Sequence, residues 1–505
     1  MKRFTAIIIV LALLICALPA ASATTMEDIV FYEVTENGEN IVYANNDGTR
    51  ATYKTIIMQG NTYSASDCRV FKEEMLASGN GYTTYALRGW NTSSDVPNTN
   101  RVTESQFKEM KNYHVAYYSG HGGFSGGHPI VNYVPSNSSQ NYGTSSPINV
   151  ATALGVSTSN WQNNAYIKTT DPTRALVLAA CSQLDSNCVK YYARIMKASS
   201  IRAIAGYHDV APSDGDDVIA RNFVETADAG NSIMYSWQNA NPVSNWAVLV
   251  YQSNYNQYYR FPGFPGNTYS DPTDLTVYRY ANYLSTPGTV TTSLGTDIES
   301  MLLGLPLSIT TTGANARTDI QSTRRELDES LTSVADNDNV VQNYLLEYFS
   351  EDLTSDKVCV ESYVTREEVD TELGLLSETE TVVERTYNYY DTYNGIKIAD
   401  SYVGASVDVG GVKNVSYARK EVLSAGKCAN ELSAQKNAQK KLLTKEEAVE
   451  VVRTKDTCCS ELTVLGISLA YAPVNGGEHV LCYEIQSNHG FTYVSVENGN
   501  IINLV

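Results

Sequence analysis

The sequence predicts an α/β domain with a six-stranded, mainly parallel sheet flanked by helices, followed by a smaller α+β domain. Between residues 50 and 251, short β-type runs alternate with helical patterns, as they do in β-α-β units. After residue 380 the pattern changes to strands around tight turns, with one amphipathic helix among them. The chain has 505 residues, too many for one ordinary core, so two or three domains are expected.

The first domain is predicted from six runs of β-branched, aromatic and small apolar residues. These predicted strands cover residues 53–58, 83–87, 114–119, 175–180, 202–206 and 246–251. Helical periodicity fits between most of them. The predicted helices cover residues 66–78, 188–197 and 216–229, and another follows a capping box formed by Thr103 and Gln106.

The stretch after the sixth strand is predicted to be less regular. Residues 253–287 are rich in Tyr, Pro and Gly, which favours an irregular boundary loop. Residues 318–353 have a helical, charged pattern that is typical of a connector. Residues 286–380 are therefore predicted to be a partly helical connector.

The C-terminal region is predicted to be a small α+β unit. Strand patterns surround residues 393–398 and continue to Val415. Thr444 and Glu447 form a capping box at the start of a helix, and Asn498-Gly499 predicts a final hairpin.

The N-terminus has the pattern of a signal peptide. Lys2 and Arg3 precede an apolar run over residues 6–18, and Ala21-Ser22-Ala23 supplies the small residues of a cleavage site near Ala23. We therefore expect residues 1–23 to be removed and the protein to be secreted or extracytoplasmic. No later run is long and apolar enough to span a bilayer, so no membrane span is predicted.

The net charge limits the classes of partner. The formal charge of −19 becomes −21 once Lys2 and Arg3 leave with the signal peptide. Such an acidic chain is repelled by nucleic acid and by anionic membranes. A basic substrate remains compatible with this charge.

The cysteines do not predict a structural metal site. Eight remain after processing, with no C-x-x-C or zinc-like spacing among them. If Cys181 stays reduced for chemistry, seven are left, so the others cannot all pair within one chain.

Two short motifs carry the candidate chemistry. His121 and Cys181 each follow a predicted buried strand, and the carboxyl ends of neighbouring parallel strands are where open α/β sheets place their sites. A nearby histidine can generate the nucleophilic thiolate and later protonate the leaving amine. Gly122 leaves room for a substrate backbone, and its N–H, with that of Cys181, could hold the oxyanion.

The same motifs carry a resemblance to a known group of enzymes. Residues 115–122, ending in His121-Gly122, and residues 176–181, ending in Ala180-Cys181, resemble the paired motifs of the clan CD cysteine peptidases, such as caspases, legumains, gingipains and clostripain. The resemblance covers roughly residues 50–252, is strongest to exported bacterial caspase-like proteins, and implies a caspase-hemoglobinase-like fold. Ser182-Gln183 departs from the caspase signature, which has a glycine two positions after the cysteine, so specificity for aspartate is not implied.

Weaker candidates lie near these motifs. His208 and Asp209 follow another strand end, where they are candidates for a substrate pocket, although a surface turn explains them equally well. Asp214, Asp216 and Asp217 are candidates for calcium binding, but acidic residues before a helix more often cap it. No metal or cofactor is otherwise predicted.

Three further residues have alternative explanations. Ser125 lies in a G-x-S-x-G pattern, which would suit a serine hydrolase only if a strand preceded it and a helix followed; the glycines and proline after it oppose that helix. His114 and His128 fit no metal motif, and we expect each to be hydrogen-bonded or solvent-exposed.

The C-terminal region carries a second resemblance. Residues 393–415 resemble the strand unit in propeptides of thermolysin- and fungalysin-like proteases, and residues 443–452 and 493–504 resemble the adjoining PepSY module. No H-E-x-x-H zinc motif occurs in the chain. The resemblance implies an intramolecular contact between this region and the catalytic domain, and inhibition through it.

The sequence predicts five segments and a function for the chain. The predicted segments are a signal peptide (1–23), a caspase-like catalytic domain (24–285), the connector (286–380), a propeptide-like strand unit (381–440) and a PepSY-like module (441–505). The predicted function is a secreted cysteine endopeptidase that acts on a protein or peptide through a thioacyl intermediate. The alternative is a catalytically inactive, caspase-shaped binding protein at the cell surface.

Overall fold

The computed structural model describes most of the chain after residue 52. The described residues are 41–42, 53–60, 64–89, 102–132, 147–212, 216–241, 245–252, 259–265, 276–284, 302, 305–313, 317–325, 345, 358–408, 411–428, 442–455, 464–474, 477–487 and 490–502. The predicted signal peptide and its cleavage site lie outside these residues.

Strands and helices alternate in the first half of the chain. The strands are β1 (Ile41–Val42), β2 (Tyr53–Gln59), β3 (Tyr82–Arg88), β4 (Val115–Ser119), β5 (Gly122–Ser125), β6 (His128–Val131), β7 (Ile148–Asn149), β8 (Ala175–Ala179), β9 (Ala203–Tyr207) and β10 (Trp246–Gln252). The helices are α1 (Ala65–Ala77), α2 (Glu104–Lys108), α3 (Val150–Ala153), α4 (Trp161–Asn164), α5 (Val189–Ala198), α6 (Asp216–Asp228) and α7 (Ile233–Ala240), and a 3₁₀ turn (Glu109–Asn112) follows α2.

All six predicted strands are present and form one sheet in the order β3-β2-β4-β8-β9-β10. The first four pairings in this order are parallel and the last, between β9 and β10, is antiparallel. These six strands are therefore mainly parallel, as predicted, but they do not form a sheet of their own: they belong to a larger mixed sheet. Strand β1 adds a short antiparallel edge to β3. Strands β5, β6 and β7 form a separate small antiparallel sheet.

Helices cover both faces of this sheet because its central strands are apolar on both sides. Ile56 and Leu176 face a core that includes Tyr192 of α5, while Val177 faces the opposite core with Phe71 of α1 and Trp237 of α7. Helix α1 ends before Gly79, whose φ of 71° suits a glycine. The predicted Thr103–Gln106 capping box is present at α2.

The sheet continues without a break into the second half of the chain. The further strands are β11 (Thr276–Leu284), β12 (Ser308–Gly313), β13 (Arg317–Arg325), β14 (Val358–Asp370), β15 (Gly374–Leu375), β16 (Thr381–Tyr393), β17 (Ile396–Asp408), β18 (Gly411–Ala418), β19 (Lys420–Ala425), β20 (Val464–Pro473), β21 (Glu478–Ser487), β22 (Gly490–Ser495) and β23 (Ile501–Ile502). Helix α8 (Lys445–Lys455) lies between β19 and β20, and a 3₁₀ turn (Ser377–Thr379) precedes β16. The fold is a mixed α/β structure dominated by one large mixed sheet.

The prediction of an irregular boundary loop over residues 253–287 is wrong for residues 276–284, which form β11. This strand pairs with β10 on one side and with β14 on the other, both antiparallel. Its apolar residues alternate between two cores, with Val277 and Ala281 in one and Tyr280 in the other. The Pro- and Gly-rich run before the strand obscured this period-2 pattern.

The partly helical connector predicted over residues 286–380 is also wrong in part. Arg317–Arg325 forms β13, which pairs with β18, and Val358–Asp370 forms β14 inside the large sheet. Leu345 is helical and buried, and residues 326–344 and 346–357 lie outside the described part of the chain. Pairing with neighbouring strands keeps the charged residues of β13 and β14 in extended structure. Their local sequence predicts a partly helical connector, because it contains no information about these distant partners.

The C-terminal elements agree with the sequence prediction. The Thr444 hydroxyl accepts a hydrogen bond from the Glu447 N–H (3.2 Å), and the Glu447 carboxylate accepts one from the Thr444 N–H (2.8 Å), so the capping box is present. Strands β22 and β23 form the predicted final hairpin. The division of the chain into domains stays a prediction, since the pairing of β11 with β14 runs across the predicted boundary at residue 285 and that of β14 with β16 across the one at residue 380.

Among the residues that the structure describes, no helix is long and apolar enough to cross a membrane.

A buried carboxyl beneath β4 should make stability depend on pH. Asp67 is fully buried in α1 and accepts a hydrogen bond from the Tyr117 hydroxyl (3.2 Å), and burial raises the pKa of this carboxyl to about 7. The folded state therefore holds a proton that the unfolded chain releases above pH 4. The protonated Asp67 carboxyl therefore adds to the free energy of unfolding at low pH, and this contribution is lost as pH rises from about 4 to about 7.

We predict that Asp67→Asn removes this dependence. The free energy of unfolding of the variant, relative to wild type, should rise by up to ~4 kcal/mol between pH 4 and pH 8. Urea denaturation at the two pH values measures the change. A difference between the proteins that is the same at both pH values would contradict the account.

Candidate active site

The two motif residues follow adjacent strands of the sheet. Strands β4 and β8 are parallel neighbours, and Ser119 at the end of β4 pairs with Ala179 at the end of β8. His121 and Cys181 each lie two residues beyond this pair. The Gly120 N–H also donates to the Ala179 carbonyl (3.3 Å), so the strand ends stay joined as the chains leave the sheet.

The two motif segments are in direct contact at Gly122. A β-carbon built on Gly122 would lie 2.8 Å from the Cys181 carbonyl oxygen and 2.8 Å from the Ala180 β-carbon. Both distances are shorter than van der Waals contact. Only glycine allows the main chain after His121 to approach the main chain at Cys181 this closely.

The Gln183 side chain also joins the segment after His121 to the segment that carries Cys181. Its side-chain amide is buried, and Nε2 donates to the carbonyl oxygens of Cys181 (3.1 Å) and Ile130 (3.0 Å). Its Oε1 accepts a hydrogen bond from the Tyr192 hydroxyl (2.8 Å) on α5. One amide therefore connects the Cys181 segment, the β5–β6 hairpin and a helix.

The Cys181 thiol lies at a half-buried position beside the segment that follows β9. The Ala211 N–H donates to the Cys181 Sγ (3.4 Å). The Ser182 N–H donates to the Asp209 carbonyl (2.7 Å), and the Leu184 N–H donates to the Tyr207 carbonyl (2.9 Å). Ser182 has a φ of 55°, a conformation that costs energy for a residue other than glycine and that turns the chain sharply after the cysteine.

His121 lies at a half-buried position, and its main chain is held by a buried tyrosine. The Tyr118 hydroxyl donates to the His121 carbonyl oxygen (2.9 Å) and accepts from the Asn132 N–H (2.9 Å). Tyr118 belongs to β4 and Asn132 follows β6. The turn that carries His121 is thereby tied to β4 and to the residue that follows β6.

Of His208 and Asp209, Asp209 contacts the segment that carries Cys181, and His208 contacts β11. The carbonyl of Asp209 belongs to the contact with Ser182 described above. The His208 Nε2–H donates to the Asn282 carbonyl (2.7 Å), and its ring lies 4.7 Å from the Tyr283 ring, both on β11. Burial, followed by the charge of Arg279, lowers the pKa of His208 to about 3, so its ring is neutral. Their predicted roles in a substrate pocket stay predictions.

Ser125 lacks the setting of a nucleophile elbow. It ends β5, where it pairs with His128 across the turn of the β5–β6 hairpin. Gly126 and Gly127 have φ values of 57° and 76°, as a two-residue hairpin turn requires. A hairpin strand follows Ser125 in place of a helix, so the structure does not support the serine hydrolase alternative.

The other two histidines differ from each other. The His114 Nδ1 accepts a hydrogen bond from the Lys54 N–H (3.0 Å), as expected of a hydrogen-bonded residue, and burial lowers its pKa to about 4. His128 was expected to be hydrogen-bonded or exposed. Its half-buried ring packs on Tyr191 with 4.6 Å between centroids, and its Nδ1 has no hydrogen-bond partner.

The predicted acidic candidates lie at the start of α6. Asp216 is the first residue of that helix, Asp217 is half-buried, and Asp214 lies outside the described residues. In the part of the chain that the structure describes, no group of three or more His, Cys, Asp or Glu residues is arranged to hold a metal ion.

Comparison with known proteins adds little to this geometry. No protein-family profile and no curated protein matches the chain. The C-terminal domain of YpeB from Bacillus megaterium is 13% identical over 35% of this chain and 97% of that domain, with a TM-score of 0.17. An uncharacterised protein from Eubacterium rectale is 10% identical over 52% of this chain and 74% of its own, with a TM-score of 0.21. Similarities at these TM-scores do not establish a shared fold.

The role of Gln183 was not apparent in the sequence. A polar residue after the cysteine gave no signal of burial, because its partners are main-chain carbonyls and Tyr192, which lies nine residues later. In the sequence, Gln183 is apparent only as part of the departure from the caspase signature.

We predict that Gln183→Leu destabilises the protein by ~1–3 kcal/mol, because it leaves buried carbonyls and the Tyr192 hydroxyl without a partner. Gln162→Leu, at an exposed position in α4, is the matched control and should change stability by less than ~0.5 kcal/mol. Chemical denaturation measures both. Equal effects of the two substitutions would show that the Gln183 amide does not join the segments.

Proposed function

We propose that this protein is a secreted cysteine endopeptidase of the caspase-like type, with Cys181 as nucleophile and His121 as general acid and base. One observation carries the proposal: the two residues lie at the same distance beyond adjacent parallel strands, with their main chains in contact at Gly122. The carboxyl ends of such strands are the usual place for a site in an open α/β sheet. The motifs resemble those of clan CD peptidases, and a mixed α/β structure with parallel central strands is compatible with the fold that this resemblance implies.

The reaction is an acyl transfer in two steps. His121 takes the proton of the Cys181 thiol, and the thiolate attacks the carbonyl carbon of the substrate peptide bond. The tetrahedral intermediate collapses as the C–N bond breaks, and His121 gives the proton to the leaving amine. Water, deprotonated by His121, then attacks the thioester and releases the acid and the thiol.

Main-chain donors near the sulfur support this chemistry. The Ala211 N–H that points at Cys181 Sγ stabilises negative charge on sulfur. The N–H groups of Gly122 and Cys181 are proposed to bind the oxyanion. Thiol and imidazole together supply both the nucleophile and the proton transfer, so we propose no cofactor.

The protein is also proposed to be secreted and to be inhibited by its C-terminal region. The signal-peptide pattern over residues 1–23 supports secretion. Inhibition by the C-terminal region rests on its resemblance to propeptide and PepSY modules, which is an argument by association. The Gln238 side chain on α7 donates to the Glu384 carboxylate on β16 (2.6 Å), so this region does contact the part of the chain that carries the site.

Labelling with a peptidyl electrophile directed at thiols tests the nucleophile. We predict that the mature protein is labelled at Cys181 and that Cys181→Ala abolishes this labelling. Cys188 is the matched control: it lies seven residues away, is fully buried, and burial raises the pKa of its thiol far above the ordinary value. Cys188→Ala should therefore label at the wild-type rate.

Mass spectrometry of the labelled peptides identifies the residue. If wild type labels no faster than Cys181→Ala, the endopeptidase proposal fails, and the inactive, caspase-shaped binding protein becomes the better description of the chain.

His121→Gln tests the proton transfer. We predict that it lowers the labelling rate of Cys181 at pH 7 by ~10²- to 10⁴-fold, because general acid–base catalysis contributes about that much. The variant should regain rate at alkaline pH, where hydroxide generates the thiolate without the imidazole. His114→Gln, at a histidine outside the site, should leave the rate and its pH profile unchanged. A His121→Gln profile parallel to that of wild type would exclude His121 as the base.

A further inference from the structure

A side chain on β11, a strand in the second half of the chain, holds the segment that carries Cys181. Arg279 on β11 is buried, and its Nη1 donates to the Leu184 carbonyl (3.1 Å), three residues after Cys181. The N–H of the same Leu184 donates to the Tyr207 carbonyl at the end of β9. Leu184 is therefore fixed on both sides, by β9 through its N–H and by Arg279 through its carbonyl.

Arg279 depends in turn on a residue far along the chain. Its Nε donates to the Glu367 carboxylate (2.8 Å), and its Nη2 contacts the same carboxylate (2.7 Å) and the Tyr283 hydroxyl (2.6 Å). Arg279 and Glu367 are directly paired across β11 and β14. Both side chains are almost fully buried, and a buried guanidinium keeps its position only with such a partner.

A second contact brings the end of β14 to the helix that follows the Cys181 segment. Arg194 on α5 donates to the Thr371 carbonyl (2.7 Å) and to the Glu372 carboxylate (2.7 Å). A β-carbon built on Gly374 would lie 3.7 Å from the Ser186 carbonyl oxygen. The chain at the β14–β15 turn therefore packs against α5 and lies near Ser186, five residues after Cys181.

We propose that Arg279, held by Glu367, is a positioning residue for Cys181, and that β14 is a permanent part of the catalytic unit. The proposal rests on the peptidase function proposed above and specifies its regulation. Any release of an inhibitory segment has to leave β14 in place. Removal of all residues after 285 would take away Glu367 and inactivate the site.

Arg279→Lys in the full mature chain tests the proposal. Lysine keeps the charge beside Glu367, but one ammonium group does not replace three separately directed N–H groups, so the Leu184 contact is lost. The matched control is Arg88→Lys. Arg88 also pairs with a carboxylate, Glu109, and donates to a carbonyl, that of Leu87, but it lies on β3 away from the site.

Two readouts separate positioning from general loss of stability. At saturating peptidyl electrophile, Arg279→Lys should lower the labelling rate of Cys181 ~10-fold or more, as a misplaced reacting group does, with little change in the half-saturating concentration. Amide hydrogen exchange of residues 181–188 should accelerate in Arg279→Lys and stay at the wild-type rate in Arg88→Lys. Glu367→Gln should change both readouts in the same direction and serves if Arg279→Lys does not fold.

Each contrary result has a distinct meaning. Wild-type exchange and labelling rates in Arg279→Lys, or equal losses in Arg279→Lys and Arg88→Lys, would overturn the positioning role. If wild type itself is not labelled at Cys181, the peptidase function fails, while hydrogen exchange still decides whether Arg279 holds the segment.

Discussion

The parallel pairing of β4 with β8 is the constraint on which the candidate site depends. Because Ser119 and Ala179 are paired at the strand ends, the next residues of both strands must leave the sheet side by side. Gly122 then allows the two main chains to touch, and the Gln183 amide donates to a carbonyl of each, those of Gly123 and Cys181. His121 and Cys181, sixty residues apart in sequence, are thereby placed two residues beyond the ends of adjacent strands.

The large sheet explains why the two halves of the chain act as one structure. Strand β11 lies between β10 and β14 and pairs with both. Its buried residues belong to the hydrophobic cores on both faces of the sheet. The Arg279–Glu367 pair lies in this added part, yet it reaches back to the segment after Cys181. Strands β11 and β14 are thus in contact with the segment after Cys181, independently of the proposed inhibition by the C-terminal region.

The six strands β2, β3, β4, β8, β9 and β10 could be predicted from the sequence for a physical reason, but their place in a larger mixed sheet could not. Strands such as β4 and β8 are apolar on both faces, so a short local window is enough to identify them. Strand β11 was missed because a Pro- and Gly-rich run precedes it and because its buried Arg279 is stable only beside partners on other elements. Long-range pairings of this kind, like those of Gln183, leave no local pattern in the sequence.

Digestion of a peptide library by the mature protein tests the central claim most directly, since it requires binding, nucleophilic attack and hydrolysis together. The account predicts peptide cleavage by wild type and by Ser125→Ala, and none by Cys181→Ala. Cleavage by Cys181→Ala at the wild-type rate, or no cleavage by any of the three proteins, would contradict it.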